Sequence, residues 1–300
     1  MNVNFKAYIA LAFICVVWGT TYLAVRIAVK DFPPFLFMGL RQSAAGLLLL
    51  LGLFTIRRNE KIDWDTLKKQ IIPGLFMVTF GNGIVAWSVQ YIPSGIAALI
   101  CSMIPLYVIL INLIINPTER LNRNMLLGTA LGLGGILLIF RNNLQELSNS
   151  TYIYGILVTV LSCISWAAGT VYTRRTASKT SPLLSAALQL SIGGAGLLLM
   201  SLLFESSTNL PPLSFEVMLA WVYLVLLGSI AAFAAYLYVL SQLPVGLATV
   251  YAYINPLVAV TFGFFILKEP LTVYTLLAAL TILCGVYLVN LGYKQQQTHQ

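Results

Sequence analysis

Three kinds of side chain in this sequence could meet a small molecule: one cation, a set of aromatic rings and a few neutral amides. Arg41, in "FMGLRQSAAGLLLL" (37–50), interrupts the otherwise uncharged run 32–56. A charge that deep in hydrocarbon costs on the order of several kcal/mol unless it faces water, a partner or the interface. Two fates are open to it: snorkelling to the outer headgroups, or lining a cavity as the charge partner of a carboxylate or phosphate. Trp18, Trp87 and Trp166 each sit well inside an apolar run, and Tyr236 joins them in a later one. Their faces could stack on neutral, zwitterionic or aromatic compounds, with Asn82 and Gln90 supplying hydrogen bonds. The competing reading of any single ring is lipid-facing packing or an interfacial belt. Gly83, Trp87 and Gln90 fall at helical spacing, which predicts one shared face with Asn82 beside it.

"TVYAYINPLVAV" (249–260) combines two of these chemistries. Tyr251 and Asn255 are four apart and share a helix face, so both can reach one ligand. Pro256 removes a helix hydrogen bond and kinks the chain, which is tolerated where protein or water re-satisfies the freed carbonyl.

Other chemistries are excluded by what is missing. All nine Asp and Glu residues fall in loops or at span ends, so no mid-membrane carboxylate relay of the kind proton pumps use is present. Glu119 and Glu269 are the acidic candidates for coupling at a span end; the simpler reading is that they cap helix ends and pair with Arg120, Arg123 or Lys268. The single histidine, His299, stands in the polar tail "KQQQTHQ". Cys15, Cys101, Cys163 and Cys284 lie in apolar runs without a CxxC pair, which reads as small apolar filler, not a disulfide framework or metal site. An enzyme, a cofactor and a metal centre are therefore not expected.

The elements that must position these residues are membrane helices. Of 300 residues 59% are hydrophobic and 9% charged, with mean hydropathy +0.89; a soluble domain carries roughly a quarter charged residues. The excess of Lys and Arg sits in short loops, where it reports orientation and not nucleic acid. No cleavable signal peptide is expected at the N-terminus. Uncharged runs predict an all-α bundle of ten spans, five in residues 1–146 (near 7–25, 32–56, 70–91, 94–116 and 124–140). Five more follow in 147–300 (near 152–173, 182–204, 217–241, 245–267 and 271–292), with a short polar tail.

The halves match. "IPSGIAALICSMIPLYVI" (92–109) aligns without gaps on "LPVGLATVYAYINPLVAV" (243–260), placing Pro93 on Pro244, Gly95 on Gly246 and Pro105 on Pro256. Five is odd, so a duplicated half would enter from the opposite face, giving an inverted repeat. With the N-terminus cytoplasmic, twelve loop cations fall inside and four outside, Arg26, Lys30, Arg141 and Lys268; both termini are then expected in the cytoplasm. Pro105 and Pro256 read as a shared hinge. Ile100 and Ile104 occupy the first-half counterparts of Tyr251 and Asn255, so those two read as a one-sided recognition patch. The charged stretch 57–70 is expected to lie on the cytoplasmic surface as an amphipathic loop. Gly128 and Gly132 have GxxxG spacing and predict close helix packing, within the fold or at a homodimer face.

"VWGTTYLAVR" (17–26), "FMGLRQSAAGLLLL" (37–50), "NPTERLNRNMLLGTALGLGGILLI" (116–139) and "LKEPLTVYTLLAALTILCGVYLV" (267–289), in this order, resemble the drug/metabolite transporter superfamily, in its ten-span EamA-type branch. The resemblance covers essentially the whole chain. It implies an inner-membrane carrier, often an exporter of amino acids or other small metabolites, working by alternating access as monomer or homodimer in the lipid bilayer. A lipid-linked carrier or flippase and a proton-coupled drug exporter are the alternatives.

Overall fold

The computed structural model describes residues 3–30, 32–56, 62–115, 122–142, 149–176, 180–205, 212, 214–243, 245–249, 251–268 and 271–298. Glu119, Glu269 and Pro244 lie outside them. Among the described residues the structure is helical, without strands. The first two spans are α1 (Val3–Val29) and α2 (Pro34–Ile56). The third combines α3 (Trp64–Pro73), a π-helical stretch (Gly74–Gly83) and α4 (Ile84–Ser88). The fourth is split into α5 (Ser94–Cys101) and α6 (Ile104–Ile115), and α7 (Arg123–Asn142) closes the first set. The second set comprises α8 (Ser150–Arg175), α9 (Pro182–Phe204) and an eighth span of α10 (Phe215–Tyr223), a π stretch (Leu224–Ala231) and α11 (Ala232–Gln242). It ends with α12 (Val245–Ala248), α13 (Tyr251–Leu267) and α14 (Val273–Thr298). Seven segments are long and apolar enough to cross a membrane, and Ile254–Ile266 and Val273–Val289 are shorter apolar helices. With α7, this fits ten crossings.

Two sequence expectations shift in detail. The stretch expected as a surface loop is helical from Trp64 and runs directly into the third span. Asp63 caps it, accepting from the Thr66 amide at 2.8 Å, and Lys69 pairs with Asp65 one turn on. The fourth span breaks at Ser102–Met103, ahead of Pro105, whose missing N–H falls in the first turn of α6, where no intrahelical partner is needed. Pro256 lies inside α13.

Packing pairs the elements across the two sets. α2 lies along α9 and α7 along α14; α1 packs on α11 and α13, while α8 packs on the third span and α6. Gly128 and Gly285 make the α7–α14 seam possible: a Cβ on Gly128 would sit 2.3 Å from the Gly285 carbonyl oxygen. That answers the Gly128/Gly132 expectation with packing inside the chain. Glu205, at the end of α9, accepts from the Phe35 and Leu36 amides at 2.7 and 2.9 Å, satisfying orphan donors at the start of α2.

The π stretches free carbonyls that neighbouring spans bond. Ser165 donates to the Phe76 carbonyl at 2.7 Å, and Trp18 Nε1 donates to the Gly228 carbonyl at 2.9 Å. This is how irregular backbone survives in a bundle interior.

Candidate functional site

A cavity opens where the middles of the first to fourth and sixth to ninth spans converge. Counted through its open mouth, the space between them is about 770 Å³. α1 contributes Trp18, Thr21 and Tyr22; α2 contributes Met38, Arg41 and Gln42; the third span contributes Gly81 and Asn82. Cys101 and Ile104 come from the broken fourth span, Ser162, Cys163 and Trp166 from α8, Gly228 and Ser229 from the second π stretch, and Tyr251 and Asn255 from α13.

One wall is aromatic. Trp18 meets Trp166 edge-on at 5.6 Å between centroids and Tyr251 at 4.7 Å. Tyr236 packs behind both indoles, 5.2 Å from Trp18 and 5.9 Å from Trp166. Each such pair adds about 0.5–1.5 kcal/mol beyond area burial, so the four rings from α1, α8, α11 and α13 form a rigid panel. Tyr236 is fully buried, its hydroxyl 2.8 Å from Thr170 Oγ1. It supports the panel and does not line the space. The indole N–H of Trp166 and the Tyr251 hydroxyl are buried beside one another and Tyr236, without a well-formed hydrogen bond among the described residues.

The opposite wall is polar. Arg41 is 3% exposed, so the snorkelling fate gives way to the cavity. Its Nε donates to Ser229 Oγ at 2.9 Å, and Ser229 donates to Gln42 Oε1 at 2.7 Å. Nη1 reaches only the Met38 sulfur, at 3.5 Å. Gly228 makes room: a Cβ there would stand 3.0 Å from Arg41 Nη2. No carboxylate lines the cavity among the described residues.

Asn255 is 3% exposed. With its amide turned to satisfy its surroundings, its nitrogen donates to the Tyr251 carbonyl at 2.9 Å and the Cys15 carbonyl at 3.0 Å, tying α13 to α1. It thus fixes the wall at the start of α13 as well as lining the space.

The expected residues separate into groups. Trp18, Asn82, Trp166, Tyr251, Asn255 and Arg41 line the cavity together, Tyr236 backs it, and Trp87 and Gln90 stand apart. Trp87 stacks on Phe35 with centroids 4.9 Å apart, and Gln90 is exposed, donating to the Trp87 carbonyl at 3.2 Å. Pro105 and Pro256 are buried in the fourth and ninth spans, each close after a helix break. Gln42, Ser229 and the Cys101–Cys163 pair, whose sulfurs are 3.4 Å apart, were not singled out for the site. The signal for the first two was available: a glutamine follows the lone arginine, and each π stretch presents a glycine followed by a polar residue, Gly81–Asn82 and Gly228–Ser229.

The EamA-like transporter family matches this chain in two segments, residues 5–141 and 153–291. The chain belongs to the EamA-like transporter family. Among curated relatives, the uncharacterized inner membrane transporter YedA of Escherichia coli K12 is 36% identical over 286 residues, covering 94% of this chain and 90% of that protein. The uncharacterized transporter YoaV of Bacillus subtilis is 27% identical over 294 residues, covering 97% and 99%. A solved crystal structure matches with a TM-score of 0.69 at 21% identity, covering 98% of each chain, a likeness of fold. As an EamA-like protein the chain is a membrane transporter, and the convergent cavity is its candidate substrate site.

Proposed function

We propose that this EamA-like transporter is a secondary carrier that exports small neutral, zwitterionic or aromatic metabolites, amino acids among them, by alternating access across the inner membrane. The observation that carries the reading is the mid-bundle cavity, walled on one side by rings from both halves and on the other by amides, hydroxyls and one cation. The halves act as two five-span units of opposite orientation, with both termini cytoplasmic. Support comes from the two family segments, the exchange-symmetric packing of the spans and a pair of π stretches at like places in the third and eighth spans. The prolines near the helix breaks of the fourth and ninth spans serve as hinges around which the halves rock.

With no carboxylate among the described cavity residues, flux follows the substrate gradient and does not draw on protons. Reconstituted vesicles loaded with labelled phenylalanine test this directly. Saturable efflux of equal rate with and without a pH gradient is expected; strong acceleration by the gradient would sink the uncoupled reading, and absence of protein-dependent efflux of any labelled amino acid would count against amino acids as cargo.

A further inference from the structure

We infer that the carrier's cargo bears a single carboxylate, seated at Arg41 and Gln42, with an apolar or aromatic body against Trp18, Trp166 and Tyr251. This deepens, and rests on, the reading of the cavity as the transport site.

The polar wall is short of acceptors. Arg41 is a buried cation whose hydrogen bonds go to a serine and a thioether, and Nη2 makes none among the described residues. The relay from Arg41 Nε through Ser229 to Gln42 Oε1 fixes the glutamine's orientation. Its oxygen is used, and its Nε2 is left buried without a partner. Across the space the Trp166 N–H and the Tyr251 hydroxyl face each other and Tyr236, and neither makes a well-formed hydrogen bond among the described residues. Four donors from three spans, Arg41 and Gln42 on α2, Trp166 on α8 and Tyr251 on α13, thus surround one cavity, and no described carboxylate answers them.

Buried donors without acceptors are costly, and a buried cation more so. A planar carboxylate meets the guanidinium and the adjacent amide nitrogen with charge-assisted hydrogen bonds and neutralises the single positive charge. A phosphate dianion would leave one negative charge uncompensated in a low-dielectric space, and an amine would add a second cation beside Arg41. An ammonium on a zwitterion could rest on the indole faces, so amino acids remain acceptable cargo, but the carboxylate is what the site reads.

A matched probe series on the full-length protein in detergent tests this by calorimetry: phenylacetate, phenylacetamide, phenethylamine and phenyl phosphate. Phenylacetate should bind roughly tenfold or more tighter than the neutral amide, with the amine weakest. Arg41→Gln should bring the acid-to-amide ratio close to one while leaving amide binding in place, and Arg41→Lys should retain the preference in weakened form. The inference is overturned if phenylacetate does not bind, if amide or amine matches it, or if the preference survives Arg41→Gln. Tighter binding of phenyl phosphate overturns the single-charge assignment. If Arg41→Gln does not fold, the wild-type series and Arg41→Lys decide: a ratio near one in wild type, or equal ratios in both proteins, overturns the site. Vesicle flux separates this result from the parent reading. Charge-selective binding without flux keeps the subsite and removes the carrier; flux of the amide without charge preference does the reverse.

Discussion

Trp18 and Trp166 meet edge to face with centroids 5.6 Å apart, and eight residues beyond each stands an arginine, Arg26 and Arg174. The two arginines perform the same task. Arg26 donates to the carbonyls of Val89 and Ile92, where the third span ends. Arg174 donates to the Leu240 carbonyl at 2.8 Å, where the eighth span ends. In sequence, both sets of carbonyls come shortly before a proline, Pro93 or Pro244. A span end leaves several carbonyls without intrahelical partners, and a guanidinium with five donors is suited to collect them. The two indoles therefore mark equivalent depths in the two halves, and the two arginines mark equivalent ends.

If the halves are oppositely oriented, those equivalent ends face opposite sides of the membrane. Lys30 follows α1 and Arg175 ends α8, and both are exposed. In a background without the native cysteines, Lys30→Cys is expected to react with a membrane-impermeant maleimide in intact cells. Arg175→Cys is expected to react only after permeabilisation. Labelling of both from the same side would rule out the inverted arrangement.

The bundle and much of the candidate cavity's lining are legible in the sequence because membrane burial writes a strong signal. Uncharged runs located the spans, and a polar or aromatic residue in mid-run, such as Trp18, Arg41 or Asn255, pointed inward. Trp87 and Gln90 do not share the cavity face with Asn82. That face continues through Val85, Ala86 and Val89, whereas Trp87, five residues on from Asn82, lies about 140° round an α-helix and stacks on Phe35. Nothing in a hydropathy pattern reports a π stretch, and the role of Ser229 rests on one, since Gly228 lets Arg41 lie against the second π stretch. Pro105 illustrates a subtler limit: its spacing indicated a mid-span kink, whereas the helix breaks two residues earlier and the proline starts the next one.

The Cys101 and Cys163 sulfurs lie 3.4 Å apart, both buried and both lining the cavity. A disulfide needs about 2.05 Å, a closure that small shifts of α5 and α8 can supply. Diamide, small and uncharged, should take two electrons and two protons from the pair and join the two halves through one bond. Thiol titration under denaturing conditions should fall from four to two, with flux arrested and both recovered on reduction. Cys101→Ser should abolish the arrest. Four thiols remaining after diamide would mean that the sulfurs cannot close.

Gly128 and Gly285 approach so closely that a Cβ on Gly285 would stand 2.6 Å from the Gly128 carbonyl oxygen. That neighbour is backbone and cannot swing aside. Gly285→Leu should therefore force α14 away from α7 and lower stability by about 1–3 kcal/mol or more, as overpacking does. The substitution lies outside the cavity lining, so thermal unfolding in detergent should fall while the probe preference for carboxylate persists in the folded fraction. Unchanged unfolding would show that the seam is looser than its geometry.

Two rings of the aromatic panel should respond oppositely to loss of their polar atom. Trp18 Nε1 holds the Gly228 carbonyl at 2.9 Å, so Trp18→Phe leaves a buried acceptor of the π stretch unpaired. That omission typically costs about 1–3 kcal/mol, which should appear as a lowered unfolding temperature. The Tyr251 hydroxyl is buried without a well-formed hydrogen bond among the described residues, so Tyr251→Phe removes a poorly satisfied group and should leave the ligand-free carrier as stable as wild type or more so. Its cost should fall on the cargo instead: a weaker dissociation constant for phenylalanine or phenylacetate, with the ring panel intact. Thermal unfolding measured with and without ligand reads both effects in one experiment. If Tyr251→Phe destabilises the empty protein as much as Trp18→Phe does, its hydroxyl serves the fold and the recognition role assigned to it is wrong.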